Sequence, residues 1–496
     1  MPSTSSERSS RPYRTILKRG STCRVPLTLI ANAAEARCLG DDMSALDSFY
    51  AMLRDNADPF RNHPENLREL QLAAMKERFA GRRNQIRLLR RRADDLGVET
   101  INRHEDMVPL LFAHQIYKSY PEQFIDNGRW KHLAAWLQTL SSTPVSEVDM
   151  TGVEDVDAWM GRLREAGHYV FSSSGTSGKC SFINQTQADL ENVTESCVKL
   201  GIHGNELIRR DFGKRPVFLM MPPAGAHRHI EPVLGAAKRL GAESTLMFDE
   251  PVLASATISM GRMRRAIADG SAKPSEVAAF QEHAVARQRH TGAMIDRFLD
   301  KLVTQRDVPV LVQGNWSLHW TLVERARQRG IADGICHPDT VITTGGGLKG
   351  TSAPTDYREQ IIRFYGIRPE NVQNSYGMSE MIGTGPWSEV AQGYAICPWI
   401  VPFVLDKAGE QLLNPSDGRG IAEGRFAFFD LLAEGYWGGF ITGDKVTVDF
   451  SPAGNTDGLQ GPLVRRVGRY ADLEEGEDKL SCAGTMESYV RGMINV

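Results

Sequence analysis

The sequence has no apolar run near the ~20 residues that a membrane-spanning helix requires, which argues against a membrane protein. It has no Cys-x-x-Cys pair. Its seven cysteines are odd in number and scattered, which argues against a disulfide framework or a zinc knuckle and favours a reducing cytoplasm. Neither charge sign dominates: 58 Lys and Arg stand against 61 Asp and Glu, a net charge of -3. A nucleic-acid partner and an acidic tail are therefore not expected. The opening MPSTSSERSSRPYRTILKRG lacks the apolar segment of a secretory signal. It shares its Ser/Arg-rich composition with transit peptides, but reads as a disordered tail through residue 43.

The 496 residues suffice for one large multi-layer domain or for several ordinary ones, and 41% hydrophobic with 24% charged residues is ordinary globular composition. From 44 to 97 the pattern is helical. Leu67, Leu70 and Ala74 share a face, and Gly97 is a plausible C-cap. The basic run KERFAGRRNQIRLLRRR within it reads as a solvated helix face rather than a nucleic-acid patch. Helical, aromatic-rich segments continue to about 150, forming a cap. Beyond that, β-prone runs (VFLMM at 217–221, VPVLV at 308–312, TVITT at 340–344) alternate with helical ones such as WTLVERARQRG and DYREQIIRFYG. This alternation predicts an α/β fold with a largely parallel sheet. The last 80 residues read more as β.

The stretch YVFSSSGTSGKCSF at 169–182 sets a loop between two β-prone runs. A Walker loop it is not: Ser173 stands where the first glycine belongs, Cys180 follows Gly178-Lys179, and a β-prone run rather than a helix comes next. No slack separates it from the flanking strands, so it is not a linker. Its two glycines let backbone approach a ligand, and Ser172, Ser173, Ser174, Thr176 and Ser177 offer five hydroxyls. Consecutive N–H groups can form an anion-holding nest. On this loop alone, phosphate binding and a plain structural turn stand level.

Four later stretches change that balance: TTGGGLKG at 343–350, NSYGMSE at 374–380, ITGDKVTV at 441–448 and VGRYADLEEGEDKLS at 467–481. Together and in this order they resemble the adenylate-forming superfamily of acyl-CoA synthetases, adenylation domains and luciferases. Within it, the helical N-terminal part looks most like phenylacetate-CoA ligases and the acyl-protein synthetases of bacterial luminescence. The resemblance covers roughly residues 150 to 485. It implies the superfamily's large α/β subdomain as an ATP/acyl-adenylate-forming core (151–466), preceded by the helical cap (44–150). Residues 467–496 would be a hinge and remnant of the C-terminal subdomain, whose mobile lid is then absent or vestigial.

The resemblance also implies roles. Ser173, Ser174, Gly175, Thr176, Ser177, Gly178 and Lys179 would cradle the phosphates of ATP, with Thr176 and Lys179 among the catalytic groups. Gly345, Gly346 and Gly347, with Asn374, Ser375, Tyr376, Gly377, Met378 and Ser379, would form the adenine side. Tyr376 would lie against the ring there, and Ser379 replaces a usual threonine. Asp444 and Arg469 would take the ribose. Glu380 would be catalytic and hold Mg²⁺, a hard cation that accepts carboxylate and phosphate oxygens. His227 and His229 could line an acyl pocket or be structural.

Two departures matter. Ser181 stands near where many relatives carry a second lysine, and no lysine follows Lys479. The acyl-protein synthetase resemblance makes Cys482 a candidate acyl carrier, with Lys479 and Arg491 as cations that would lower its pKa; an ordinary residue in a β turn is the alternative. The expected activity is ATP-dependent, Mg²⁺-requiring activation of a small carboxylic acid to an acyl-adenylate, then transfer to a thiol of CoA, a carrier protein or a protein cysteine. Transfer to an amine, or a nucleotide-binding subunit without catalysis, are the rivals, and a partner could supply the lid.

Overall fold

The computed structural model describes residues 43–494 except 174–178, 349–350, 417 and 473–479, and gives backbone alone at 481–485 and 494. The expected tail to residue 43 lies outside the described residues apart from Met43.

Fourteen strands are found among the described residues, named here in chain order: β1 Phe112–Ala113, β2 Tyr169–Ser172, β3 Phe182–Gln185, β4 Arg215–Leu219, β5 Gly241–Leu246, β6 Leu311–Gln313, β7 Val341–Gly345, β8 Val372–Tyr376, β9 Gly385–Ser388, β10 Gly393–Ala395, β11 Ile400–Leu405, β12 Ile421–Asp430, β13 Gly439–Asp449 and β14 Leu463–Arg469. Twelve join one sheet in the order β11-β12-β13-β14-β10-β9-β8-β7-β6-β4-β5, with β1 on β13, while β2 and β3 pair separately. The sheet has two halves. From β5 to β8 every pairing is parallel; from β8 to β11 every pairing is antiparallel. The expectation of a largely parallel sheet therefore holds for one half only. The C-terminal β-rich stretch supplies the other.

The parallel half is covered on both faces, which is why its strands read as unbroken apolar runs. Phe218, Val312 and Ile342 point into a core with the helices Trp316–Gln328 and Tyr357–Tyr365. Val217, Leu219, Leu311 and Val341 point the other way, onto the helix Ile230–Leu240. A third and larger core joins the N-terminal helices to the antiparallel half.

Three helices, Ala45–Asp55, Leu67–Arg83 and Arg87–Leu96, fill the stretch read as helical, and Gly97 closes the last with φ 66° and its N–H on Ala93 and Asp94. That is the left-handed cap a glycine makes without Cβ strain. The basic run is less solvated than its composition suggests. Arg78 is buried, donates to Leu431 O and pairs with Glu434, and Arg82 pairs with the same carboxylate. Two arginines thus tie the N-terminal helices to the sheet side of the molecule.

The chain's last 80 residues, read as more β, instead end in a helix, Ser481–Ile494. Buried Met486 and Val490 lie on one stripe of it and join the large core. Spacing of i, i+4 is the helical period, and the apolar pair at 486 and 490 was the signal for it. No helix among the described residues is long and apolar enough to cross a membrane.

Candidate active site

The sequence-predicted stretches come together where strand ends meet. In a parallel α/β sheet, ligands bind outside the carboxyl ends of the strands. Gly345 ends β7 and is paired with Ser375 of β8, so GGG and NSYG leave the sheet side by side. A Cβ on Gly345 would lie 2.8 Å from Ser375 O, and Gly346 has φ 66°. Both positions therefore favour glycine for backbone reasons. Ser375 Oγ donates to Thr344 O at 3.0 Å. Buried Asn374 accepts from Trp316 Nε1 at 3.3 Å and donates to Tyr394 Oη at 3.0 Å, so its amide is spent inside the protein. Gly377 is exposed, and a Cβ there would lie 2.9 Å from Thr384 Oγ1. Half-buried Met378 packs against the large core.

Tyr376 meets the later motifs directly. Its hydroxyl donates to Asp444 Oδ2 at 2.7 Å, which couples β8 to β13 across the site. Asp444 is cross-strand from Arg469, with Oδ1 3.9 Å from Nε. Burial first, and then the Asp444 charge, push the Tyr376 hydroxyl well above its ordinary pKa.

The Ser/Gly loop is the tip of the β2–β3 hairpin. Ser173 extends the ladder by one pair, its N–H donating to Ser181 O at 3.2 Å and its Oγ accepting from Ser181 N at 3.0 Å. Ser174, Gly175, Thr176, Ser177 and Gly178 lie outside the described residues. Lys179 is turned back along the hairpin: its ammonium donates to Tyr120 O and lies 4.5 Å from the centre of the Tyr120 ring. Burial lowers its pKa, opposed by Glu122 and Glu487 and helped by Arg491.

Glu380 sits on a turn after β8, and every carbonyl from 379 to 382 is held by a side chain. Arg228 donates to Ser379 O and, at 2.8 Å, to Met381 O. Tyr436 Oη donates to Glu380 O at 3.1 Å, and Trp399 Nε1 donates to Ile382 O. The Ile382 N–H is taken by Asp430, whose other oxygen accepts from Leu432 N at 3.0 Å. Burial raises the Glu380 pKa, while Arg228 and then Lys118 oppose it, and Asp444 adds to the rise. Asp444 and Glu380 are thus close enough to sense each other. Lys118 carries the reciprocal signature: burial lowers its pKa, and Glu380 and Cys180 raise it.

Arg228 and Lys118 were not singled out from the sequence. Arg228 stands between the two histidines that were, in AHRHIEP, and is 2% exposed. His227 and His229 are half-buried with ring centres 6.3 Å apart. A buried arginine leaves no periodic mark, so only its position between two polar residues and before an apolar helix hinted at it. Trp320 lies in the core with Phe218 and Val312.

Cys482 is in the first turn of the terminal helix, not in a β turn, and its side chain lies outside the described residues, as does Lys479. Arg491 pairs with Glu487 at 2.6 Å.

A separate cavity of 670 Å³ lies elsewhere, lined by Leu67, Gln71, His104, Ile400, Phe403 and Phe450 among others. No described residue of the sequence-predicted site lines it.

This architecture is shared with a solved acyl-CoA ligase. Among solved structures, an open conformation of 2-hydroxyisobutyryl-CoA ligase bound to 2-HIB-AMP and CoA matches with a TM-score of 0.53 and 14% identity, over 84% of this chain and 79% of that one. The same ligase in the postadenylation state with R3-HIB-AMP matches with a TM-score of 0.50 and 14% identity, over 84% and 72%. No family model matches the chain, and no curated protein does.

Proposed function

We propose that this protein is an ATP-dependent ligase that activates a small carboxylic acid as its adenylate and passes the acyl group to a thiol. The single observation that carries this reading is the Glu380 turn, fixed on every carbonyl and in electrostatic reach of the Tyr376–Asp444 pair, in a fold shared with a ligase whose structures hold an acyl-adenylate and CoA.

In the first step a substrate carboxylate oxygen bonds to the α-phosphorus of ATP as the bond to pyrophosphate breaks. In the second, a thiol attacks the acyl carbon and AMP leaves. Attacking and leaving groups are both anionic, so the protein's task is positioning and charge neutralisation. Asp444 would accept from the ribose hydroxyls, with Arg469 beside it. Tyr376, anchored by its hydroxyl, would offer a fixed ring face to adenine, and Gly345, Gly346 and Gly347 would admit the nucleotide from the other side. Residues 173–179 would hold the phosphates. Lys118 and Arg228, the two cations nearest Glu380 in effect, would favour its ionised form.

The donor set fits a divalent cation. Mg²⁺ takes hard oxygen ligands and is usually held by one or two carboxylates together with substrate phosphates, and Glu380 is one such carboxylate on a rigid turn. When bound, the ion would neutralise charge on the phosphates and orient them. The thiol could belong to CoA, to a carrier protein or to Cys482.

The test is carboxylate-dependent ATP–pyrophosphate exchange with a panel of aryl, fatty, hydroxy and amino acids. Exchange with one acid class, lost in Glu380→Gln, supports the reading. Tight ATP binding with no exchange for any acid would replace it with a nucleotide-binding subunit. A stable acyl-protein adduct that disappears in Cys482→Ser, with exchange retained, would make the cysteine the acceptor.

A further inference from the structure

The 670 Å³ cavity between the N-terminal helices and the antiparallel half is of the size that small-molecule sites have. Leu67, Ile400, Phe403, Leu412 and Phe450 line it, and all five belong to the large core or pack on it. Three amides on its walls are spent on backbone. Gln71 Nε2 donates to Pro398 O at 2.8 Å. Asn414 donates to Pro402 O at 3.1 Å and accepts from Val404 N at 2.7 Å. Gln460 accepts from His63 N at 2.6 Å. His104, also on the lining, stays neutral: burial first and then Arg68 lower its pKa to about 4, against Glu105 and Glu69.

Arg68 is the polar group left over. It is exposed, and among the described residues it enters no hydrogen bond or ion pair. It stands in the first turn of the helix Leu67–Arg83 and reaches over to the β11–β12 connection, where a Cβ on Gly418 would collide with its Nη1. Gly418 has φ 68°, so glycine suits that position for backbone reasons and also leaves the guanidinium its room. The acids on the lining, Glu65 and Glu105, are exposed, and neither pairs with it. A guanidinium with unspent donors over an apolar well complements one negative charge on an apolar body. The two carboxylates nearby disfavour a second charge, since like charges brought together are costly.

We propose that this cavity is a second binding site, which takes a monocarboxylate with an apolar tail: the tail lies along Leu67, Ile400, Phe403, Leu412 and Phe450, and the carboxylate pairs with Arg68. The inference is independent of the adenylation reading and stands if that reading fails, because no described residue of the adenylation site lines the cavity.

The experiment is calorimetry on the full chain without ATP, using octanoate, decanoate and decanol as probes, with Arg68→Gln and Leu412→Trp alongside. Decanoate should bind saturably, one per chain. Each methylene added from octanoate to decanoate should tighten binding by about fourfold, the worth of burying one CH₂. Decanol has the same tail without the charge and should bind about threefold to tenfold more weakly, the range for a charged pair partly open to water. Arg68→Gln should bring decanoate down to the affinity of decanol and leave decanol itself unchanged. Leu412→Trp places an indole in the space and should abolish binding of both. Absence of saturable decanoate binding overturns the proposal. So does decanol binding as tightly as decanoate, or decanoate binding that survives Arg68→Gln undiminished, which would put the acid at another site. If Leu412→Trp fails to fold, Arg68→Gln still decides, because its side chain is exposed and carries no part of the core.

Discussion

The two acidic residues of the candidate site are placed by opposite means. Asp444 stands on a long strand, opposite Arg469 by antiparallel register and capped by Tyr376 from β8. Its neighbours are the ones the sheet hands it. Glu380 stands on a turn, and its place depends on Arg228, Tyr436, Trp399 and Asp430, which arrive from three separate stretches of chain. A strand residue inherits precision from the ladder. A turn residue must be given it by buried donors, because an unheld turn pays nothing to move. The comparison predicts that substitution of Asp444 acts chiefly on nucleotide binding, whereas around Glu380 the carboxylate itself carries catalysis and the buried donors that hold its turn carry stability.

The largest expected effect is at Glu380 itself. Glu380→Gln keeps the side chain's shape and removes its charge, so carboxylate-dependent pyrophosphate exchange should fall by about 10²–10³-fold, the size seen when one preorganised electrostatic contact is removed. The melting temperature should not fall, because burial opposes the charged form here. An exchange rate within threefold of wild type would remove Glu380 from the mechanism.

Next in size is Asp444→Asn. The amide keeps one acceptor but loses the charge that receives the Tyr376 hydroxyl. Hydrogen bonds to charged groups are worth ~1.5–3 kcal/mol, so the KM for ATP should rise about tenfold to a hundredfold with a smaller change in kcat. A fall in kcat with KM unchanged would place Asp444 with Glu380 rather than apart from it, and the contrast between the two carboxylates would collapse.

The third effect is a pH slope. Asp430 is fully buried and its pKa is raised from 3.8 to about 7, by burial before anything else. The folded state therefore holds a proton that the unfolded state has released between about pH 4 and pH 7. Through that window the folded protein binds more protons, so this group's contribution to stability falls as pH rises, by ~1.4 kcal/mol per unit. Asp430→Asn cannot titrate. It should be less stable in absolute terms, with one backbone N–H poorly matched, yet flatter in melting temperature from pH 5 to pH 7.5 than the wild type. Equal slopes in the two proteins would show that Asp430 is not the group responsible.

The same contrast explains what was legible beforehand. The pairs of apolar strand and helix that build the parallel half announce themselves by period, and Gly97 by its place after a charged turn. Gly345 was legible because backbone geometry restricts which residues can stand there, and the motif is the trace of that restriction. Arg228, Lys118 and Arg78 were not. Each is a polar residue with a partner far away in sequence, Ser379 and Met381 for Arg228, Glu380 for Lys118, Leu431 and Glu434 for Arg78, and local pattern carries no record of a partner at that range. The terminal helix was misread for another reason: Met486, Tyr489, Val490 and Met493 stand at i, i+3, i+4 and i+7, a helical signal of barely two turns set against the β-rich stretch before it.

The smallest effect separates support from chemistry within the Glu380 turn. Trp399 is fully buried and gives its only donor to Ile382 O, two residues beyond the carboxylate. Trp399→Phe leaves that carbonyl buried with no side-chain donor, a loss of ~1–3 kcal/mol, and leaves the bonds to Ser379 O, Glu380 O and Met381 O in place. The midpoint of urea unfolding should therefore drop while pyrophosphate exchange in the surviving folded protein changes by less than about threefold, since the carbonyls flanking Glu380 keep their donors. If exchange instead falls as far as it does in Glu380→Gln, the turn works as one unit to its far end. Precision at Glu380 would then come from the whole cage rather than from Arg228, and the difference from Asp444 would be larger than the hydrogen bonds nearest the carboxylate suggest.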